Sequence, residues 1–424
     1  MNQTGGKGTR VPGAVTALVL LTCLNFINYI DRYILPGVQE QIKGEFHVSD
    51  AAIGSLTFWF FFAYMFAAPL TGWLGDLLPR KPLIVGCALL ISAVNLFTGT
   101  VHRFDSLLLR HAVLGIGEAS LGIYAPALLC DFYPKEDRNR ILTIFYIAIP
   151  VGAALGYLIA EVVGAKYGWR MPFYVSAVPG VVVALLVLLI VREPERGESE
   201  RNSESTAGRE HFSPLRRGWS LASNPPYMYA TLGMAAITFS LGGISAWMPT
   251  FLQRSGFSPS TVGITLGGIT AATGLGGTAA GGWMAQILLR RNERALYLVS
   301  AWSALLTIPF GVVCFFGPRT TMLPSLALAM FCIFLGTGPL NAAIVNSVPA
   351  SVRATAIAVE LFLIHALGDT PSPWLIGFVS DRSNLATGLG CTLVTMIIAT
   401  VLLFRGARAR PQVVSMGQLS APSH

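Results

Sequence analysis

The stretch GWLGDLLPRK, residues 72–81, ends a long apolar run with one acid, Asp76, and two bases, Arg80 and Lys81. A related stretch, GWMAQILLRR, ends another apolar run at residues 282–291, 210 positions further on. A second pair repeats the relation: YPKEDRNR at 133–140 and VPASVRAT at 348–355, 215 positions apart. Two echoes at nearly one offset, each at the same place in a series of apolar runs, indicate a duplicated unit. The only long polar run, 193–222, lies between the copies. The chain therefore reads as a first bundle over 1–192, a linker over 193–222, a second bundle over 223–405 and a tail over 406–424.

Composition says what kind of bundle this is. Of the 424 residues, 53% are hydrophobic and only 12% charged, with a mean hydropathy of +0.61. Soluble domains carry about 25% charged residues, so most of this surface does not face water. Twelve apolar stretches are each long enough to cross a bilayer, for which ~20 residues suffice. They run over 14–41, 50–77, 82–101, 105–132, 139–165, 171–192, 226–252, 260–288, 294–316, 323–348, 353–379 and 386–405. The fold class that follows is all-α: twelve transmembrane helices in two six-helix bundles. Parallel repeats of this kind suit alternating access around a site at the repeat interface. The first stretch is too long for a cleavable signal sequence and has no A-x-A-like site.

The net charge of +8 does not indicate nucleic acid, because of where the bases lie. If the N-terminus is cytoplasmic, 20 of the 29 Lys and Arg fall on that side, seven fall on the other, and Arg32 and Arg110 are left in the membrane. This bias is the positive-inside rule, and it places both termini in the cytoplasm. The six cysteines have no CxxC or metal-ligand spacing and read as small buried hydrophobes. No nucleophile–base motif and no sizeable soluble domain point to an enzyme, and no cofactor or metal is expected. In helix 8, Gly263/Gly267 and Gly277/Gly281 are small-xxx-small spacings that favour close helix packing.

Charges at bilayer depth cost at least about 2.5–3.5 kcal/mol on insertion scales and are functional by default. Asp31 and Arg32 lie side by side in the first stretch. Neighbours on a helix point ~100° apart, and only i,i+3 and i,i+4 pairs meet well. Each therefore needs a partner elsewhere. Asn25, Asn28 and Arg32, at i, i+3 and i+7, form a polar stripe with Asp31 at its edge. In the fourth stretch, Glu118 and His111 are seven apart and share a face, with Arg110 further round. In the eleventh, His365 and Asp369 are i,i+4, and Pro371 and Pro373 interrupt the helix just beyond. A structural polar cluster that only fixes helix packing is the alternative in each case. Glu360 reads as belonging to another surface, and Glu161 as interfacial, near a helix end. Of the aromatic run FWFFFAY at 58–64 and of Trp247, most rings are expected against lipid or neighbouring helices.

The loop after the second stretch resembles the major facilitator superfamily motif G-x-x-x-D-[RK]-x-G-[RK]-[RK]. It reads Gly72, Asp76, Leu77, Pro79, Arg80 and Lys81, with Leu77 in place of a base and Pro79 in place of Gly. The resemblance implies a gating role for Asp76, with Arg80, Arg138, His365 and Asp369 as further gating candidates. NYIDR in the first helix, GIGEAS in the fourth, PVGAALGY in the fifth and H-x-L-G-D-x-x-S-P-x-x-I-G in the eleventh are together similar to the Spinster branch, whose animal members carry lysolipids such as sphingosine-1-phosphate. The short loops suggest a bacterial relative in a cell membrane. By that resemblance the functional residues are Asp31, Arg32 and Glu118. Where the family has Arg, four residues before the first Gly of GIGEAS, this chain has His111, with Arg110 one position earlier. The substrate-binding or proton-coupling set is thus Asp31, Arg32, Glu118, His111, Arg110 and Asn28. The function implied is a monomeric carrier of amphiphilic, lipid-like substrates, with proton coupling open. A drug/proton antiporter, an organic-anion carrier and a non-transporting sensor or scaffold remain as alternatives.

Overall fold

Proline and glycine set most helix limits. Pro79, Pro134 and Pro318 each stand directly before a helix, where a residue with fixed φ and no N–H loses nothing. Gly13 and Gly168 take left-handed φ of 85° and 87° at the start of the first helix and the end of the fifth. The computed structural model describes residues 10–195, 198–200, 221–348 and 353–409. Most of the linker and tail read from the sequence, and residues 349–352 of the VPASVRAT echo, lie outside them.

The first six helices are α1 (Ala14–Phe46), α2 (Asp50–Leu77), α3 (Arg80–Leu96), α4 (Phe104–Phe132), α5 (Lys135–Tyr167) and α6 (Met171–Ile190). They are followed by α7 (Pro225–Arg254), α8 (Pro259–Leu289), α9 (Ala295–Phe316) and α10 (Arg319–Asn346). The eleventh apolar stretch is two helices, α11 (Arg353–Ile364) and α12 (Pro371–Arg382), joined by a π-helical turn at His365–Asp369; α13 (Leu385–Arg408) ends the described chain. The described residues contain no strand. All twelve expected stretches are helical. Ten of these helices are long and apolar enough to cross a membrane. The two exceptions are α8, diluted by glycine and threonine, and the eleventh stretch, divided by its π turn.

The helices belong to two compact units. One holds the described residues of Met1–Gly208 together with Ser245–Ala271 and Pro373–Gly388; the other holds those of Arg209–Ile244, Ala272–Ser372 and Leu389–His424. In the first unit, α1 packs on α5 and α6, α2 on α4, and α3 on α4 and α6. In the second, α9 packs on α10.

These helices are apolar on nearly every side, as expected of spans in lipid. Val15, Phe66, Leu109 and Leu189 lie on exposed faces. The inward faces are instead marked by polar residues: Asn25, Asn28 and Asp31 on α1, Ser92 and Asn95 on α3, Arg110, His111 and Glu118 on α4, and Ser176 on α6, all buried. Hydrocarbon offers no hydrogen bonds, so polar groups collect where protein can supply them. Glycine permits the close approach this needs. A Cβ at Gly115 of α4 would strike the backbone carbonyl of Phe60 on α2, so α4 lies against α2 one turn before Glu118. The small-xxx-small spacings of α8 behave as the sequence suggests. Gly263 and Gly267 sit against α5 at Leu158 and Ala154, and Gly277 and Gly281 against α10 at Phe331 and Leu335.

Candidate functional site

Asp31 and Arg32 do diverge. The Arg32 guanidinium reaches α4, where its Nε donates to Glu118 Oε2 at 2.7 Å, and its Nη2 lies 2.7 Å from the same oxygen. The Glu118 side chain is sealed from solvent, whereas that of Arg32 keeps 20% exposure. Four rings surround the guanidinium, with centroids 5.0 Å (Tyr29), 5.3 Å (Phe60), 5.6 Å (Tyr64) and 5.8 Å (Phe61) away. Such contacts add about 0.5–2 kcal/mol each. Three of the rings come from the 58–64 run, so part of that run serves the cluster. Trp59, by contrast, is exposed. Trp247, buried on α7, donates its indole N–H to the Pro373 carbonyl at 2.8 Å.

Asp31 turns the other way, towards Asn95 on α3 and Ser176 on α6. Arg110 and Glu118 are the charged groups acting on it. Arg110 is itself buried and held at every nitrogen. Its Nε donates to Thr98 Oγ1 at 2.7 Å, its Nη2 to Asn95 Oδ1, and its Nη1 meets His111 Nε2 at 3.1 Å. Its guanidinium stacks 4.3 Å from the Phe173 ring. The His111 Nδ1 lies 2.8 Å from the Leu107 carbonyl. That carbonyl can only accept, so Nδ1 carries the proton and Nε2 accepts from Arg110. His111 thus orients Arg110, and it is Arg110 that supplies the positive charge near Asp31.

Sequence reasoning grouped these residues in one set. In the structure they form two adjoining centres. One is Arg32–Glu118 with Asn28 facing Glu118, and the other is Asp31–Arg110 with His111. In both, an acceptor atom is left over. Among the described residues, Asp31 Oδ1, Glu118 Oε1 and Asn28 Oδ1 are buried and accept no hydrogen bond from protein. A buried carboxylate oxygen without a donor is costly unless something else arrives there. A proton or a ligand donor meets that need.

The gating candidates fall elsewhere. Asp76 is exposed at the end of α2. Arg80 pairs with Asp131 on α4 and donates to the Ala127 carbonyl. Glu193 caps α3, accepting from the backbone N–H of Arg80 at 2.8 Å and of Lys81 at 2.6 Å. Arg138 donates to the Tyr133 and Cys130 carbonyls at the end of α4. In the second unit, His365 Nδ1 lies 2.9 Å from Asp369 Oδ1, within the π turn. The helix is interrupted in the turn directly before Pro371, where the Thr370 N–H bonds the His365 carbonyl at 3.2 Å.

A third centre escaped the sequence reading. It lies where the loop 47–49 joins α1 to α2, called here the His47 end. Asp50, at the first position of α2, accepts from both Arg254 terminal nitrogens at 2.7 Å, from Lys43 at 2.5 Å and from Ser380 at 2.6 Å. Arg254 also donates to Glu40 at 2.7 Å. Asp381 accepts from the Asp50 and Ala51 backbone N–H groups at 2.8 and 2.9 Å and so caps α2. This clamp ties the ends of α7 and α12 to α1 and α2. Beside it Glu161, expected to be interfacial, is in fact buried at 1% exposure. It lies beneath α7, with both carboxylate oxygens bonded to Gln253.

Residues 21–368 match the family model of the Major Facilitator Superfamily. Human "Protein spinster homolog 1" is 36% identical over 404 residues, covering 88% of this chain and 74% of that protein. The mouse "Sphingosine-1-phosphate transporter SPNS2" is 32% identical over 435 residues, covering 93% and 78%. Among solved structures, a bacterial homolog of the human lysosomal transporter Spinster, in an inward-facing and unoccupied conformation, superposes with a TM-score of 0.84 at 23% identity, over 94% of this chain and 98% of that one. The E. coli xylose transporter XylE, inward open, reaches 0.73 at 13% identity, over 95% and 98%.

Proposed function

The chain belongs to the Major Facilitator Superfamily, in its Spinster branch, and from that premise we propose how this membrane transporter binds its cargo and couples its movement. The substrate is an amphiphile with an anionic head, of the lysolipid or sphingosine-1-phosphate class. Arg32 binds the head. The observation that carries this reading is the asymmetry of the Arg32–Glu118 pair: a sealed carboxylate against a guanidinium that keeps one open, ring-lined side. Guanidinium matches phosphate and carboxylate oxygens in pairs, and aromatic walls suit an acyl or sphingoid chain.

An arriving anion competes with Glu118 for Arg32. Glu118, displaced in a sealed place, then takes a proton, so that the anion and one proton are bound together. Asp31, facing Arg110, is the second carboxylate able to load a proton. The two six-helix halves move by alternating access. Asp76, Arg80, Arg138 and the His365–Asp369 turn act in gating. Arg10, Arg80, Lys81 and Arg138 gather at one end of the first unit, which supports a cytoplasmic placement of that end and of both termini in a bacterial cell membrane, with the protein acting as a monomer.

Uptake of labelled sphingosine-1-phosphate and lysophospholipid into proteoliposomes, with and without a proton gradient, tests this. Flux of a lysolipid that rises with the gradient supports it. Flux of a small organic anion, with none of the lysolipid, would replace the substrate class while leaving Arg32 as the anion site.

A further inference from the structure

The His47 end holds two acids treated in opposite ways. Asp50 is met by two cations and a hydroxyl. Glu161, equally buried, meets only an uncharged amide: Gln253 Nε2 lies 2.8 Å from one of its oxygens and 2.7 Å from the other. The same nitrogen reaches the Gly37 carbonyl of α1 at 3.5 Å. The neighbouring contacts are neutral as well. Tyr157, one turn earlier on α5, donates to the Ser245 carbonyl at 2.8 Å, and its ring meets Tyr33 of α1 edge-on at 5.1 Å. Gln39 of α1 donates to the Ala246 carbonyl at 3.0 Å.

The charged groups on the surrounding elements are committed to other partners. On α1, Glu40 and Lys43 pair with Arg254 and Asp50, and Glu45 pairs with Arg170. On α7, Arg254 is shared between Glu40 and Asp50. On α5 itself, Lys166 is exposed and lies over Tyr167. The part of α8 that packs here, Pro259–Ala271, has no titratable side chain, and its Gly263 seats directly on Glu161.

We propose that Glu161 is a proton-exchange site separate from the α1–α4 centres, and that it links opening of the His47 end to one proton. This rests on the alternating-access reading. An anion sealed with no counter-cation is the costly form. With α7 down, the proton stays on one Glu161 oxygen and Gln253 Nε2 donates to the other. When the end of α7 lifts from α1 and α5, water reaches the carboxyl and the proton leaves to it; closure takes one back. Alkaline pH therefore favours the open His47 end.

Spin labels at Gly44 and Ser260, both exposed, would read that opening in nanodiscs without substrate, with the six native cysteines replaced. A Cβ at Gly44 meets nothing within 4 Å, so a label is tolerated there. The expected result is an open-to-closed ratio that rises with pH by up to about tenfold per unit. Glu161→Gln flattens it, whereas Glu161→Asp, which keeps an acid at the site, retains it. A wild-type slope that persists in Glu161→Gln overturns the proposal, as does a flat wild type. A slope kept in Glu161→Gln but lost in Asp31→Asn or Glu118→Gln assigns the proton to α1 or α4 instead. Since the readout needs no cargo, these outcomes are independent of whether lysolipid is carried.

Discussion

The α1–α4 centres and the His47-end clamp are built from the same residue types and satisfied to different degrees. Around Arg32, Glu118 and Asp31, acids and bases meet almost one to one, and acceptor oxygens remain unfilled. Around Asp50, three side chains converge on one carboxylate, and a second carboxylate caps the helix on which it sits. An under-satisfied cluster has room for something that comes and goes. A fully satisfied one holds elements together. We therefore propose binding chemistry for the first and closure for the second.

The comparison can be broken most decisively at Arg32. Arg32→Ala leaves Glu118 sealed without its partner, at a cost of about 3–5 kcal/mol, and is expected to abolish lysolipid flux. Glu118→Gln, which stays neutral without a cation, should leave a folded, monodisperse protein that does not couple flux to a proton gradient. If the Arg32→Ala variant transports normally, the binding role passes elsewhere. Asp50→Asn should act differently. Flux persists, while the closed His47 end loosens, read as faster hydrogen exchange at the end of α7 and the start of α2. A loss of flux as complete as that of Arg32→Ala would erase the distinction between the two regions.

A finer test lies at α4. Arg110→Lys keeps the charge but cannot reproduce contacts to Thr98, Asn95 and His111 together, and a severalfold loss of flux is expected. His111→Ala removes only the orienting contact and should cost less than Arg110→Lys; the reverse order would make His111 the working base. The smallest effect is expected at Ser49. Its hydroxyl caps α2 by accepting from Ala52 at 3.2 Å, but Asp381 caps the same helix. Ser49→Ala should cost less than the ~1 kcal/mol usual for a lost N-cap, measured as a shift in thermal melting of the purified protein.

How much of this was legible in the sequence depended on the range of each interaction. Helices written by continuous apolar runs were readable to within a few residues, because lipid demands the same composition of every span. The divergence of Asp31 and Arg32 was readable because it is local helix geometry. Glu118 entered the candidate set through its depth in the fourth stretch and the GIGEAS signature, but which of Asp31 and Arg32 it meets was not readable. Asp50, Arg254, Ser380 and Asp381 were not readable. Arg254, Ser380 and Asp381 lie 204 to 331 positions from Asp50, and all four sit at helix ends, where a charge normally reads as solvated. Glu161 was misplaced for the same reason: a position near a helix end says nothing of α7 and α8 lying over it. Pro371 and Pro373 marked a break in the eleventh stretch, but not that the turn before them would be π-helical.

The central claim is that the Arg32–Glu118 pair is where the anionic head of the substrate enters. It is tested most directly by initial rates of labelled lysolipid flux in proteoliposomes holding equal amounts of wild type, Arg32→Ala and Glu118→Gln, all shown to be monodisperse. The account predicts no measurable flux for Arg32→Ala, and for Glu118→Gln a flux that no longer responds to a proton gradient. Wild-type rates and a wild-type pH response in both variants would contradict it.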